Sequence, residues 1–244
     1  MIFFRFVLIR QSGRYTKLQK SPRKAIALRG SFLFCRRGSI KFCPSGSTPL
    51  ALGGQTRAAF PPPIYDKEKP DFYNYAILGA TTIGHEMTHG FDSNGSQYDA
   101  AGNKSDWWDP QDKVVFKEKQ QQMINHFNQF EYLPGVYCDG KNTLAENIAD
   151  LGGLEIGYDT YMNTLTTTQS GERERLGREF YRAFAEAWKT NATPELMERF
   201  KKDTHSAPKL RVNGNVCLTN EWYRVFGISS GNLYLAPNER ILIW

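Results

Sequence analysis

The sequence predicts a mainly α domain with little β structure, and three observations carry that expectation. Leu176, Phe180, Phe184 and Trp188 recur every four residues, the spacing of one buried stripe on a helix. Asp109-Pro110 and Thr193-Pro194 each pair a capping side chain with a first-turn proline, a combination that starts helices. His85 and His89 stand four apart with Glu86 between them, and residues so spaced share a face only on a helix.

With 244 residues, 40% hydrophobic and 23% charged, the chain has room for one sizeable globular core. Its net charge of +6 is unevenly spread. Residues 1–65 hold 12 of the 31 basic residues and no acid, which leaves 19 basic against 25 acidic residues beyond them. No apolar run reaches the length of a transmembrane helix. Met1 to Arg10 is apolar in character, but Arg5 interrupts it and the order of a secretory signal is absent. Cys35, Cys43, Cys138 and Cys217 form no CxxC pair and do not define a redox compartment.

Residues 1–57 form an atypical basic leader without sustained periodicity. Three readings compete for it: non-native sequence translated in a wrong frame, which is favoured, then a transit peptide, then a nucleic-acid-binding arm. No basic helical or aromatic-interleaved face supports the last, so no nucleic-acid partner is expected. From Ala58 the character changes. Pro61-Pro62-Pro63 and Pro70-Asp71 make a turn-rich approach to a buried helix over 74–91, in which Gly79 and Gly84 would let another backbone come close. A loop follows over 92–106, and Trp107-Trp108 are expected in the core. A helix from Asp109-Pro110 to Phe130 should bury Phe116, Met123, Phe127 and Phe130. After turns at Pro134-Gly135 and Asp139-Gly140 come helices over 143–165 and 172–189, a short one after Thr193-Pro194, a loop over 203–216, and a last helix over 221–226.

The chemistry centres on His85, Glu86 and His89. Two imidazoles one turn apart can reach a single ion, and the glutamate beside the first can reach a water on it without ligating. On uniform residue frequencies this three-residue motif arises by chance in about three chains of this length in a hundred, so a third ligand must decide. Glu146 is the candidate, with Asp150 one turn on, where a carboxylate could accept a hydrogen bond from a ligating histidine. Thr143 and Glu146 also fit a capping box, which would turn Glu146 toward a backbone amide instead. The HExxH run and Asp150 together favour the ligand reading. Asp92, one turn after His89, could be another carboxylate of that kind or a helix-end residue. His126 has no motif around it and reads as structural.

Ile83-Gly84-His85-Glu86-Met87-Thr88-His89-Gly90-Phe91-Asp92, the run from Thr143 to Gly153 (Thr-Leu-Ala-Glu-Asn-Ile-Ala-Asp-Leu-Gly-Gly), Asp203 to Gly214 and the terminal Trp244 together resemble the neprilysin family of zinc metallopeptidases. The likeness runs from about Ala58 to the C-terminus, so the expected domain is 58–244. It implies a thermolysin-like catalytic domain with one zinc ion on His85, His89 and Glu146. By the same resemblance Glu86 is the general base that takes a proton from the attacking water and passes it to the leaving amine. Asp150 orients a zinc histidine, His205 stabilises the oxyanion, and Arg211 holds a substrate carbonyl. Trp188 and Ala187 line an apolar pocket for the side chain after the cleaved bond. The expected activity is that of a metalloendopeptidase or oligopeptidase cutting peptides on the amino side of hydrophobic residues.

Departures from the family pattern qualify this. Ser93 stands where a second acid is common. Lys189 and the run Arg240 to Trp244 replace the cysteines of vertebrate members, which suggests a bacterial type. The family's substrate-binding edge strand, Asn-Ala-aromatic-Tyr, is not found in residues 1–57, although Arg57 to Asp66 resembles the segment after it. The alternative is therefore a truncated zinc-binding fragment lacking that strand and the lid domain. The resemblance suggests the cell envelope or periplasm, with cytoplasm also possible.

Overall fold

A computed structural model of the chain describes residues 63–99 and 102–243. The basic leader, the stretch from Ala58 to Pro62 and Trp244 lie outside the described residues. The elements, in order, are α1 (Asp71–Asn74), a π-helical segment (Tyr75–Gly84), α2 (His85–Thr88), a 3-10 turn (Gly95–Gln97), α3 (Pro110–Phe127), β1 (Glu131–Leu133), β2 (Val136–Tyr137), α4 (Leu144–Thr164), α5 (Ser170–Ala187), α6 (Pro194–Arg199), α7 (Pro208–Val216) and α8 (Asn220–Phe226). The mainly α expectation holds, and β1 with β2 forms a small antiparallel hairpin.

Local chemistry explains most boundaries. Asp109 caps α3 by accepting from the Gln111 amide, and Thr193 caps α6 by accepting from the Leu196 amide, each with a proline at the first helical position. The predicted helix over 74–91 starts earlier, at Asp71, because Pro70 presents an extended entry and Asn74 fastens the approach through the Asp66 backbone. It is also wound differently: its central turns are π-helical, so the His85 amide donates to the Ala80 carbonyl five residues back. The loop expected over 203–216 instead contains α7, entered through Ala207 in extended conformation and Pro208 at the first helical position.

Two apolar clusters share α4 as their common wall. Leu144, Ile148 and Leu151 from its first half pack with Phe116, Met123, Phe127, Leu210 and Leu218. Leu154, Tyr158, Tyr161 and Met162 from its second half pack with Tyr75, Ala80, Phe180 and Phe184. Trp107 and Trp108, expected in the core, are half-buried at its margin. Their indole N–H groups need acceptors and find them in the Tyr98 and Ser96 carbonyls, which holds them at the edge. Phe130, expected to be buried, lies beyond the end of α3 and is half-buried.

One seam sets the distance between the π–α2 rod and α4. A side chain at Gly153 would place its Cβ 2.5 Å from the Ala80 carbonyl and 2.7 Å from the His85 nitrogen. One at Gly84 would meet the Gly153 Cα at 2.9 Å. Backbone rests on backbone here, which is what brings α2 within side-chain reach of the first turns of α4.

Candidate metal centre

His85 and His89 project from α2, and Glu146 from the first turn of α4, toward one point. The two imidazole Nε2 atoms are 3.0 Å apart. Glu146 Oε2 lies 3.2 Å from the first and 3.6 Å from the second. Tetrahedral ligands held about 2.0–2.1 Å from zinc stand about 3.3 Å from one another, so this triangle has the right size for one ion. Glu146 Oε2 is buried and accepts no hydrogen bond despite this crowd of nitrogens. An orphaned buried carboxylate oxygen between two ring nitrogens is what a shared cation satisfies. The donor set of two imidazoles and one carboxylate is that of catalytic zinc sites.

The outer faces of both rings are held by carboxylates. His85 Nδ1 meets Asp150 Oδ1 at 2.8 Å, and His89 Nδ1 meets Asp92 Oδ2 at 2.6 Å. A carboxylate accepts, so each Nδ1 carries a hydrogen, and in the neutral ring each Nε2 offers its lone pair inward. Asp92 proves to be both things its position allowed. Besides backing His89, its other oxygen accepts from the Asn94 and Gly95 amides at 2.7 Å each, closing the end of the helix. Burial alone would lower the pKa of both imidazoles. Asp150 and Glu146 outweigh it at His85, which is raised, and Asp92 with Glu146 lifts His89 to about 10. The pocket therefore draws positive charge to the point between the rings.

The capping-box alternative for Glu146 is not realised. The Thr143 hydroxyl turns away to donate to the Asp139 carbonyl at 2.9 Å. Burial pushes the Glu146 carboxyl up, but His205, His85 and His89 around it hold it far below the carboxylate range.

Around this core stand the other sequence-predicted residues. A carboxylate oxygen of Glu86 lies with the His85 and His89 nitrogens inside a 4.8 Å group, in reach of the same point. His205 Nε2, on a half-exposed loop, is 3.2 Å from Glu146 Oε2. Arg211 grips Asp150 with two contacts, Nε to Oδ2 at 2.7 Å and Nη2 to Oδ1 at 2.6 Å. Burial would raise Asp150, yet the charge of Arg211 and the His85 contact keep it lowered. The Arg211 guanidinium also lies over the Trp188 ring, 3.9 Å from its centroid. Trp188 itself is half-buried and Ala187 exposed at the end of α5. His126 is structural as expected, its Nε2 donating to the Gly214 carbonyl at 2.8 Å, and burial lowers its pKa.

Asp203 had no role assigned from sequence. Its Oδ1 accepts from the His205 amide at 2.8 Å and from His205 Nδ1 at 2.9 Å, so it orients that ring. An Asp two residues before a histidine is the signal of an Asx turn, and it could have flagged the pair.

The sequence pattern of peptidase family M13 matches residues 56–241. Human neprilysin is 32% identical over 206 residues, covering 78% of this chain and 27% of its own length. A neutral endopeptidase of Lactococcus lactis is 34% identical over 184 residues, covering 75% and 28%. Among solved structures, a zinc metalloprotease of Mycobacterium tuberculosis in complex with an inhibitor superposes with a TM-score of 0.67 at 30% identity, over 75% of this chain and 29% of that one. PepO from Lactobacillus rhamnosis gives 0.65 at 32% identity, over 76% and 28%. The chain thus spans about a quarter of the length of these relatives. The matched region contains every residue of the centre described above, and the chain belongs to peptidase family M13.

Proposed function

We propose that this chain carries the zinc centre of a metalloendopeptidase that hydrolyses peptide bonds on the amino side of hydrophobic residues. The observation that carries the reading is the convergence of His85 Nε2, His89 Nε2 and the orphaned Glu146 Oε2 on one point, each imidazole backed by a carboxylate. One zinc ion held there would supply a Lewis acid that polarises a carbonyl and makes water acidic enough to attack at neutral pH.

The chain's own residues would divide the remaining work. Glu86 takes a proton from the attacking water as its oxygen bonds to the carbonyl carbon. It returns that proton to the nitrogen as the C–N bond breaks. His205, its Nδ1–H held by Asp203, donates from Nε2 in its protonated form to the oxygen that becomes negative. Arg211 has Nε and Nη2 engaged by Asp150, so Nη1 is the group assigned to a substrate carbonyl. Asp150 keeps His85 in the ligating tautomer. The Trp188 face bounds the apolar pocket that would receive the hydrophobic side chain. Peptides are accordingly the proposed substrates.

Metal analysis with cleavage of a quenched peptide bearing a hydrophobic residue after the scissile bond tests this. One zinc per chain and turnover blocked by a chelator are expected. Glu86→Gln should keep the metal and lose turnover by about a thousandfold. Zinc retained by a wild-type chain that cleaves nothing would return it to the reading of a metal-binding module.

A further inference from the structure

We infer that Asn147 and Ser206 form a buried clasp that positions His205 against Glu146. His205 sits on a loop, yet its ring must face a ligand carried by α4. Two side-chain ties bracket it. Asn142 Nδ2 donates to the Asp203 carbonyl at 2.7 Å, ahead of the histidine. Ser206 Oγ donates to Asn147 Oδ1 at 2.7 Å, immediately after it. Each partner in the second tie is a chain neighbour of a site residue: Ser206 follows His205, and Asn147 follows Glu146.

Counting protons fixes the direction of the chain from Asp139 to Ser206. The Thr143 hydroxyl donates to the Asp139 carbonyl, which can only accept. Thr143 must then accept from Asn147 Nδ2, which lies 2.9 Å from its oxygen. That turns Asn147 Oδ1 toward Ser206, whose hydroxyl proton it takes. Cys138 Sγ stands 3.4 Å from Ser206 Oγ and 3.5 Å from Thr143 Oγ1, both with their protons committed, so the thiol donates its single proton to one of the two. Ser206 and Asn147 are each 1% exposed and Thr143 is 2% exposed. A satisfied polar network out of water holds its geometry tightly, and loss of one member strands the others. The clasp acts through His205; none of its members touches the reacting atoms.

The inference rests on the peptidase reading for its kinetic arm alone, because local hydrogen exchange reads the clasp without turnover. In Ser206→Ala of the full chain, amides of residues 203–207 should exchange faster while those of α4 do not. With metal content and KM unchanged, kcat should fall about tenfold, the size of loss a small misplacement of an acting group causes. Ser206→Ala combined with His205→Ala should be no slower than His205→Ala alone. Ser206→Cys, kept reduced so that it does not pair with Cys138, retains a weaker donor, should fall between serine and alanine and serves if the alanine variant does not fold. Thr219→Val removes a buried hydroxyl outside the site and should leave exchange at 203–207 unchanged. Unchanged exchange there in the Ser206 variants, or losses from Ser206→Ala and His205→Ala that multiply independently, would overturn the clasp. An inactive wild type with the expected exchange pattern would sink the peptidase reading and leave the clasp standing.

Discussion

The two halves of the centre are built by opposite means. His85, His89 and Glu146 stand on helices whose spacing is set by backbone contact across Gly84 and Gly153, and their outer partners are buried carboxylates. His205 stands on a half-exposed loop, and its position depends on hydrogen bonds to Asp203 and on the Asn147–Ser206 tie. The helical half resists displacement because moving it would require moving a core. The loop half can shift at the expense of a few hydrogen bonds. On the proposed reading this suits the two tasks, because a metal cage needs fixed distances, whereas a group that meets a changing carbonyl can tolerate some adjustment.

The sharpest break of that contrast removes one residue from each half. Glu146→Gln should weaken zinc binding by more than the roughly 10–100-fold that loss of an outer partner costs, by competition with a chelating dye. His205→Ala should leave zinc binding intact and lower kcat. If His205→Ala strips the metal as well, the two halves are one unit and the contrast fails. Next comes Arg211→Met, which leaves Asp150 as an uncompensated buried charge. Denaturant unfolding should show a loss of about 3–5 kcal/mol, and Arg211→Lys, lacking the planar fork, should restore only part of it. Gly153→Ala should cost about 1–3 kcal/mol by forcing α2 off α4. Gly171→Ala, where a Cβ meets nothing within 4 Å, should be neutral or stabilise by up to about 1 kcal/mol.

The smallest expected effects appear in the pH dependence, where a histidine of the helical half is set against one outside the centre. In the metal-free chain His89 has its pKa raised from 6.5 to about 10, so the stability it contributes is present below 6.5 and lost as pH rises toward 10. Thermal unfolding should show that decline, and saturating zinc should flatten it, because the ion replaces the proton. His126 runs the other way. Its pKa is lowered by burial, so stability falls as pH drops below 6.5 and the unfolded chain gains a proton the folded one refuses. His126→Gln should remove that acid-side slope.

What could be read from the residues follows how local the signal is. Helices α3, α5 and α6 were legible through apolar spacing and Asp-Pro or Thr-Pro starts, all within a few residues. So were His85, His89 and the Glu146–Asp150 pair, because helical spacing turns sequence distance into geometry. Helix α7 was not, since Ala207 offers no capping side chain and Asn213, Gly214 and Asn215 read as loop. The π-wound segment packs against α4 and carries no local mark beyond Gly79 and Gly84. The Asn147–Ser206 tie joins residues 59 apart, and nothing in either neighbourhood announces the other.

The Arg211–Asp150 grip has a further consequence, in the charge balance of the centre. Three carboxylates touch the two imidazoles, Glu146 inside, Asp92 and Asp150 outside, and Glu86 stands beside them. Arg211 cancels one of the three, leaving two net negative charges on the groups that hold neutral rings, with Glu86 beyond that sum. A divalent cation offsets the ring-holding groups, whereas without Arg211 one more negative charge would remain. One guanidinium that need not touch the ion would thus tune the charge the pocket presents to it.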